Sequence, residues 1–180
     1  ELDGVSVIDT KNLSTGSGLL LMYACDLREA GETKEEIVRK VSSRVPSVQA
    51  SFIIDKLNYL YKGGRCSGVA LFAATALNLK PCIKVKDGKM IVGKKYMGRL
   101  GGVLEKYVTD ILNEFDNPDY TRIFVTHTKF PPELVEAVKA RLKQTPFKEI
   151  IETTASCTIT SHCGPNTLGI LYINDGGKVE

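Results

Sequence analysis

The dipeptide Asp87-Gly88 stands between two runs with strand character, Pro81 to Val85 and Lys89 to Val92. A two-residue connection of this composition accepts the positive φ angles of a tight hairpin, so the two runs are expected to pair antiparallel. Elsewhere along the chain strand and helix patterns alternate. A chain that alternates in this way and also contains a hairpin does not close as a purely parallel, doubly wound sheet. The reading is mixed α/β or α+β, with mixed sheets and flanking helices.

The individual elements follow from periodicity and capping. Val5 to Ile8 reads as a short strand, Leu13 to Gly18 as a turn or helix entry, and Leu19 to Ala30 as a mostly buried helix that Gly31 closes. Thr33 followed by Glu36 fits a capping box for a helix with the apolar stripe Ile37, Val38, Val41 and Val45, ended by Pro46. A domain boundary is expected near Ser47. Phe52 to Ile54 is a strand, and Leu57 to Tyr61 a helical turn broken by Gly63-Gly64. Val69 to Leu79 is apolar nearly all round and reads as a buried helix. An amphipathic helix follows Gly101-Gly102, with Val103, Leu104, Tyr107, Val108, Ile111, Leu112 and Phe115 on one face. Then come a strand at Arg122 to Thr126, a helix from Pro131-Pro132 with core residues Leu134, Val135, Val138 and Leu142, and a strand at Glu149 to Ile151. A short helix at Ser156 to His162 and a last strand at Leu168 to Ile173 complete the pattern.

Composition narrows the function class. The net charge of +3 over 180 residues is scattered, and no basic stripe interleaves with aromatics, so nucleic acid is not an expected partner. The 5 cysteines are odd in number and none has CxxC spacing, which fits reduced thiols in the cytoplasm rather than a disulfide framework. Cys157, His162 and Cys163 lie close in sequence, but no second cluster accompanies them, so neither a metal nor another cofactor is expected. No run approaches the roughly 20 apolar residues of a membrane span. The chain starts at Glu1 and is read as a piece of a longer protein.

Two polar knots carry the candidate chemistry. In Gly63-Gly64-Arg65-Cys66-Ser67 the glycines allow a sharp turn, and Arg65 stands before the apolar run as a clamp for a carboxylate or phosphate. In Thr160-Ser161-His162-Cys163-Gly164-Pro165 a histidine sits on a Gly-Pro-bounded turn just before a strand. His127 ends another strand, where a structural role fits better. Cys66 and Cys163 neighbour Arg65 and His162, so a thiol-dependent acyl hydrolase is one reading and a small-anion module another. Gly164 to Gly169 matches neither glycine-rich nucleotide pattern.

Four segments together resemble the DegV family. Asp55-Lys56-Leu57-Asn58-Tyr59-Leu60-Tyr61-Lys62-Gly63-Gly64-Arg65 is similar to its D-x-L-x-Y-L-x-x-G-G-R segment. Lys80-Pro81-Cys82-Ile83 with Asp87-Gly88 resembles its K-P-I…D-G segment, and His162-Cys163-Gly164-Pro165 its H-x-G-P-G turn. Asp9-Thr10-Lys11-Asn12-Leu13-Ser14-Thr15-Gly16-Ser17-Gly18 resembles D-S-x-x-x-S-x-G-x-G. Asn166 departs from the family glycine. The resemblance implies a bacterial, cytoplasmic, non-catalytic protein that binds one long-chain fatty acid. It also implies a two-domain architecture, with residues 1–48 the trailing part of an N-terminal domain and 49–180 the acyl-binding domain. The first part of the N-terminal domain, which supplies further hydroxyls to the carboxylate, is not in this sequence. By motif, Arg65 and His162 face the carboxylate at the domain junction, and Val69, Phe72, Ala73 and Leu77 line the tail. Implied partners are a kinase subunit that phosphorylates the acyl carboxylate, and a membrane met transiently during lipid exchange; Lys94, Lys95 and Arg99 form a small basic cluster available to either.

Overall fold

The computed structural model of the protein describes residues 4–64 and 79–177. Helix α1 (Ser14–Glu29) begins five residues before the apolar run suggests. It ends as Gly31 predicts: Gly31 has φ 84°, and Glu32 N–H reaches back to Leu27 O at 3.1 Å. In α2 (Lys34–Arg44) the capping box is half formed. Thr33 Oγ1 accepts from Glu36 N at 3.3 Å, but the Glu36 carboxylate turns outward to Arg39 at 2.8 Å, a charge-assisted bond that competes with the reciprocal cap. After one tight turn at Val45–Ser47 come β1 (Val48–Ile53), α3 (Asn58–Lys62), β2 (Leu79–Lys86) and β3 (Lys89–Met97). Asp87 and Gly88 have φ 50° and 74°, the left-handed pair this hairpin requires. The chain continues with α4 (Leu100–Glu114), β4 (Arg122–His127), α5 (Pro132–Leu142), β5 (Glu149–Thr154), α6 (Cys157–Cys163) and β6 (Leu168–Ile173).

The six strands form one mixed sheet in the order β3-β2-β1-β6-β4-β5. Only β4 and β5 run parallel, and α5 connects them; the other neighbours are antiparallel. This is the mixed α+β architecture expected from the hairpin. Alternation along β1 and β6 sorts side chains to the two faces. Ile53, Leu168, Ile170 and Tyr172 join Val103, Leu104, Tyr107 and Ile111 of α4, and Val135, Val138 and Leu142 of α5. Ala50, Leu171 and Ile173 on the opposite face meet Leu19, Leu20, Tyr23 and Leu27 of α1. A smaller cluster of Ile54, Leu57, Leu60, Ile83 and Cys163 seats α3 and α6.

Two expectations need correction. Val5 to Ile8 forms no strand: it pairs with no strand among the described residues, and Val7 is 91% exposed. Alternation alone does not hold a strand whose backbone groups find no ladder. Leu79, read as the end of a helix, opens β2 instead.

A buried ionic cluster joins the end of α2 to one end of the sheet, where β4 begins and β6 ends. Arg44 is 3% exposed, donates to Asp175 at 2.6 and 2.8 Å and to Asp119 at 2.6 Å, and lies 4.5 Å from the Tyr23 ring centre. Burial pushes the Asp119 carboxyl up, but hydrogen bonds from Thr121 and Arg44 outweigh it and hold the group below its usual range. Arg44→Met is expected to destabilise the fold by about 3–5 kcal/mol in urea unfolding, because two shielded carboxylates lose their cation; a loss under about 1 kcal/mol contradicts this role. With a depressed folded pKa, the Asp119 contribution is full above its ordinary value near 3.8 and is lost as pH falls through the lower folded value.

Candidate functional site

The two polar knots of the sequence meet where α3 lies against α6. His162 occupies the last turn of α6, so it projects from a helix end rather than from the turn itself. A β-carbon added at Gly63 would stand 2.5 Å from His162 Nδ1, and one at Gly164 would stand 2.4 Å from the Tyr59 ring. Both distances are below any real carbon contact, so the absence of side chains at Gly63 and Gly164 is what lets the helices approach. Gly64 and Gly164 have φ 62° and 80°, a second reason for glycine there. The His162 ring is half-buried and makes no hydrogen bond among the described residues.

The turn after His162 is held from three directions. Thr128 Oγ1 donates to Gly164 O at 2.9 Å and accepts from Thr167 N at 3.2 Å. Thr167 Oγ1 bonds the Cys163 and Gly164 carbonyls at 3.1 Å each. Asn166 Nδ2 donates to Asp55 Oδ2 at 3.3 Å, and Lys80 binds the other Asp55 oxygen. Burial pushes the Asp55 carboxyl up, yet the Lys80 and Asn166 bonds prevail and keep it below its ordinary range.

The neighbouring face of α6 borders a cavity. Ile159 and Cys163 form one wall, the start of α1 another, and Ala50, Phe52, Gly169 and Leu171 of β1 and β6 the floor. It is narrow, with a cavity volume of about 40 Å³. Thr15, Thr126, Thr128 and Thr167 also line it, yet their hydroxyls are engaged elsewhere. Thr15 Oγ1 bonds Thr126 Oγ1 at 2.5 Å, and Thr126 bonds Thr153 at 2.9 Å. Threonines whose hydroxyls pair with each other and with carbonyls leave methyl groups for the lining, and the cavity surface is apolar. Of the two histidines it is His127 that lines this cavity; His162 is outside its lining, next in sequence to the lining residue Cys163.

Of the residues predicted from sequence, His162 and the Gly63-Gly64 turn are brought together. Arg65, Cys66, Val69, Phe72, Ala73 and Leu77 lie outside the described residues. His127 has a structural setting: Nδ1 is 2.7 Å from Thr128 O and Nε2 is 3.2 Å from Glu152 Oε1. Burial pushes the Cys163 thiol up to about 11, the opposite of an activated nucleophile. No group of three or more His, Cys, Asp or Glu among the described residues is placed to hold a metal ion. In the basic cluster Lys94 is engaged by Asp110 at 2.7 Å. The cavity floor was missed, although period-two alternation already put Ala50 with Phe52, and Gly169 with Leu171, on common faces. The threonine pairs had no local signal, since Thr15 and Thr126 are 111 residues apart.

Residues 1–175 match the family described as "Uncharacterised protein, DegV family". A DegV domain-containing protein of Clostridium acetobutylicum is 30% identical over 174 residues, covering 96% of this chain and 61% of the relative. The structure titled as fatty acid binding of a DegV family protein from Thermus thermophilus superposes with a TM-score of 0.80 at 26% identity, covering 96% of this chain and 62% of that one. The Streptococcus pneumoniae fatty acid kinase (Fak) B3 protein loaded with linoleic acid shares the fold, with a TM-score of 0.81 at 19% identity over 94% of this chain and 60% of that one. The chain spans about three fifths of the length of the curated relatives it matches.

Gly63→Ala is expected to push His162 away and to lower stability by about 1–3 kcal/mol, with a changed His162 ring signal in NMR. Gly102→Ala, in a helix with nothing within 4 Å of the added carbon, is the control. It is expected to be neutral or stabilising by up to about 1 kcal/mol. Equal effects of the two substitutions contradict the close contact.

Proposed function

The chain belongs to the DegV family, and we propose that it binds one long-chain fatty acid, with the carboxylate at the Gly63–Gly64–His162 knot and the tail in the adjoining apolar cavity. The observation that carries this reading is the adjacency of the two environments on α6: His162 packs against Gly63, and its neighbours Ile159 and Cys163 line the apolar cavity. Arg65, next in sequence after Gly64, is the proposed cation for the carboxylate, and Val69, Phe72, Ala73 and Leu77 are proposed to complete the lining. The fatty acid binding named for the Thermus thermophilus relative supports the same ligand class.

The physics divides the work. Each buried methylene contributes about 0.8 kcal/mol, so a chain of roughly 16 carbons offers on the order of 10 kcal/mol. Association and ordering offset at least about 4 kcal/mol of that. The tail supplies affinity, while His162 and Arg65 orient the head and keep a carboxylate from being buried unpaired. A thiol hydrolase fits less well, because the Cys163 thiol is held protonated by burial.

In this reading the protein is a non-catalytic carrier in the cytoplasm. It presents the carboxylate to a separate kinase subunit for acyl-phosphate formation and exchanges lipid during transient membrane contact. Residues 1–48 belong with an N-terminal domain and 49–180 with the acyl-binding domain, the head group lying at the junction. Apolar side chains turned outward from the first segment, Val7 at 91% and Leu21 at 66% exposure, support a further packing partner there.

Denaturing extraction and mass spectrometry of the purified protein test the ligand. A long-chain fatty acid near one equivalent is the expected result. Protein free of lipid that also fails to take up added oleate contradicts it.

A further inference from the structure

Asp55, Lys80 and Asn166 come from three segments: the corner between β1 and α3, the start of β2, and the turn between α6 and β6. Lys80 and Asp55 are joined with side chains only 11% and 22% exposed, so solvent screens the pair weakly. Asn166 completes the bridge at 3.3 Å. Its backbone is fixed separately, by φ 58° and by its N–H bond to Lys129 O at 3.0 Å. The side-chain amide thus adds a tie that the turn does not need for its own conformation.

The placement of that tie matters. Asp55 leads into α3 and Gly63 ends it; His162 closes α6 and Asn166 follows it. Both ties reach the C-terminal end of α6, Asp55–Asn166 from the segment before α3 and Gly63–His162 from the end of α3, with the Tyr59 ring against Gly164 between them. The Thr128 and Thr167 bonds hold the same turn to β4 and to itself, whereas the Asp55–Asn166 bond ties it to the segment that enters α3. Without that bond the end of α6 and α3 lose a direct polar link, and a shift of a fraction of an ångström decides whether an imidazole meets its ligand.

Resting on the carboxylate site proposed above, we infer that Asp55, bridged between Lys80 and Asn166, is a positioning residue that sets where His162 meets Gly63 and so governs recognition of the ligand's head group rather than its tail. The neutralising Lys80 ammonium also keeps a bare carboxylate from facing the region that receives an anionic ligand.

Calorimetric titration of this chain with oleate and with oleyl alcohol, the same tail without a carboxylate, separates the two contributions. Wild type is expected to prefer oleate by about tenfold or more. In Asp55→Asn and in Asn166→Gly, oleate affinity is expected to fall about tenfold while oleyl alcohol affinity stays within about twofold. Asn166→Gly suits the left-handed backbone and removes only the side-chain tie, so it remains informative if Asp55→Asn folds poorly. Equal losses for both ligands, or no loss for either, overturn the positioning role. A wild-type chain that binds the two ligands equally overturns the carboxylate site and the positioning role with it. A wild-type preference that both variants retain overturns the positioning role alone.

Discussion

How closely α3 can approach α6 governs the site. The contact tolerates no side chain at Gly63 or Gly164, where an added carbon would overlap His162 and the Tyr59 ring. Those glycines convert two short helices, of 5 and 7 residues, into one unit. Helices this short have little stability of their own. Their order comes from Leu57, Leu60 and Cys163 packed on the sheet, and from the threonine and aspartate bonds that hold the following turn. The imidazole of His162 is consequently held in a fixed frame, beside Cys163, which lines the apolar cavity.

The same economy of polar groups shapes the cavity. A row of threonines beside β1 and β6 would make a wet, selective surface if their hydroxyls faced inward. Instead Thr15, Thr126 and Thr153 bond one another, while Thr128 and Thr167 bond the carbonyls at the end of α6. These bonds leave the interior apolar and tie its wall to the turn that follows His162. In the proposed reading, head and tail recognition would rest on separate chemistry within one mechanical unit.

Much of this was legible in the sequence wherever local rules and tertiary context agree. Asp87-Gly88 specified the hairpin through its backbone preferences, Gly31 the end of α1, and Pro131-Pro132 the start of α5. The apolar stripes of α4 and α5 named their buried faces, because a helix has one face to bury. The failures have equally physical causes. Val5 to Ile8 alternates like a strand but has no ladder among the described residues. Glu36 was free to choose Arg39 over its cap, a competition invisible to spacing alone. The convergence of His162 on Gly63 followed from motif resemblance, whereas the cavity floor and the Thr15–Thr126 bond needed the sheet order β1-β6-β4 to become visible.

The central claim is that a fatty-acid carboxylate lies against His162. The most direct measurement is the NMR spectrum of oleate labelled with carbon-13 at its carboxyl carbon, bound to the wild-type chain and to His162→Gln. The expected result is one bound carboxyl resonance in the wild type that shifts clearly in the variant, with the tail still bound. An identical carboxyl resonance in both proteins, at every pH tried, would contradict the claim.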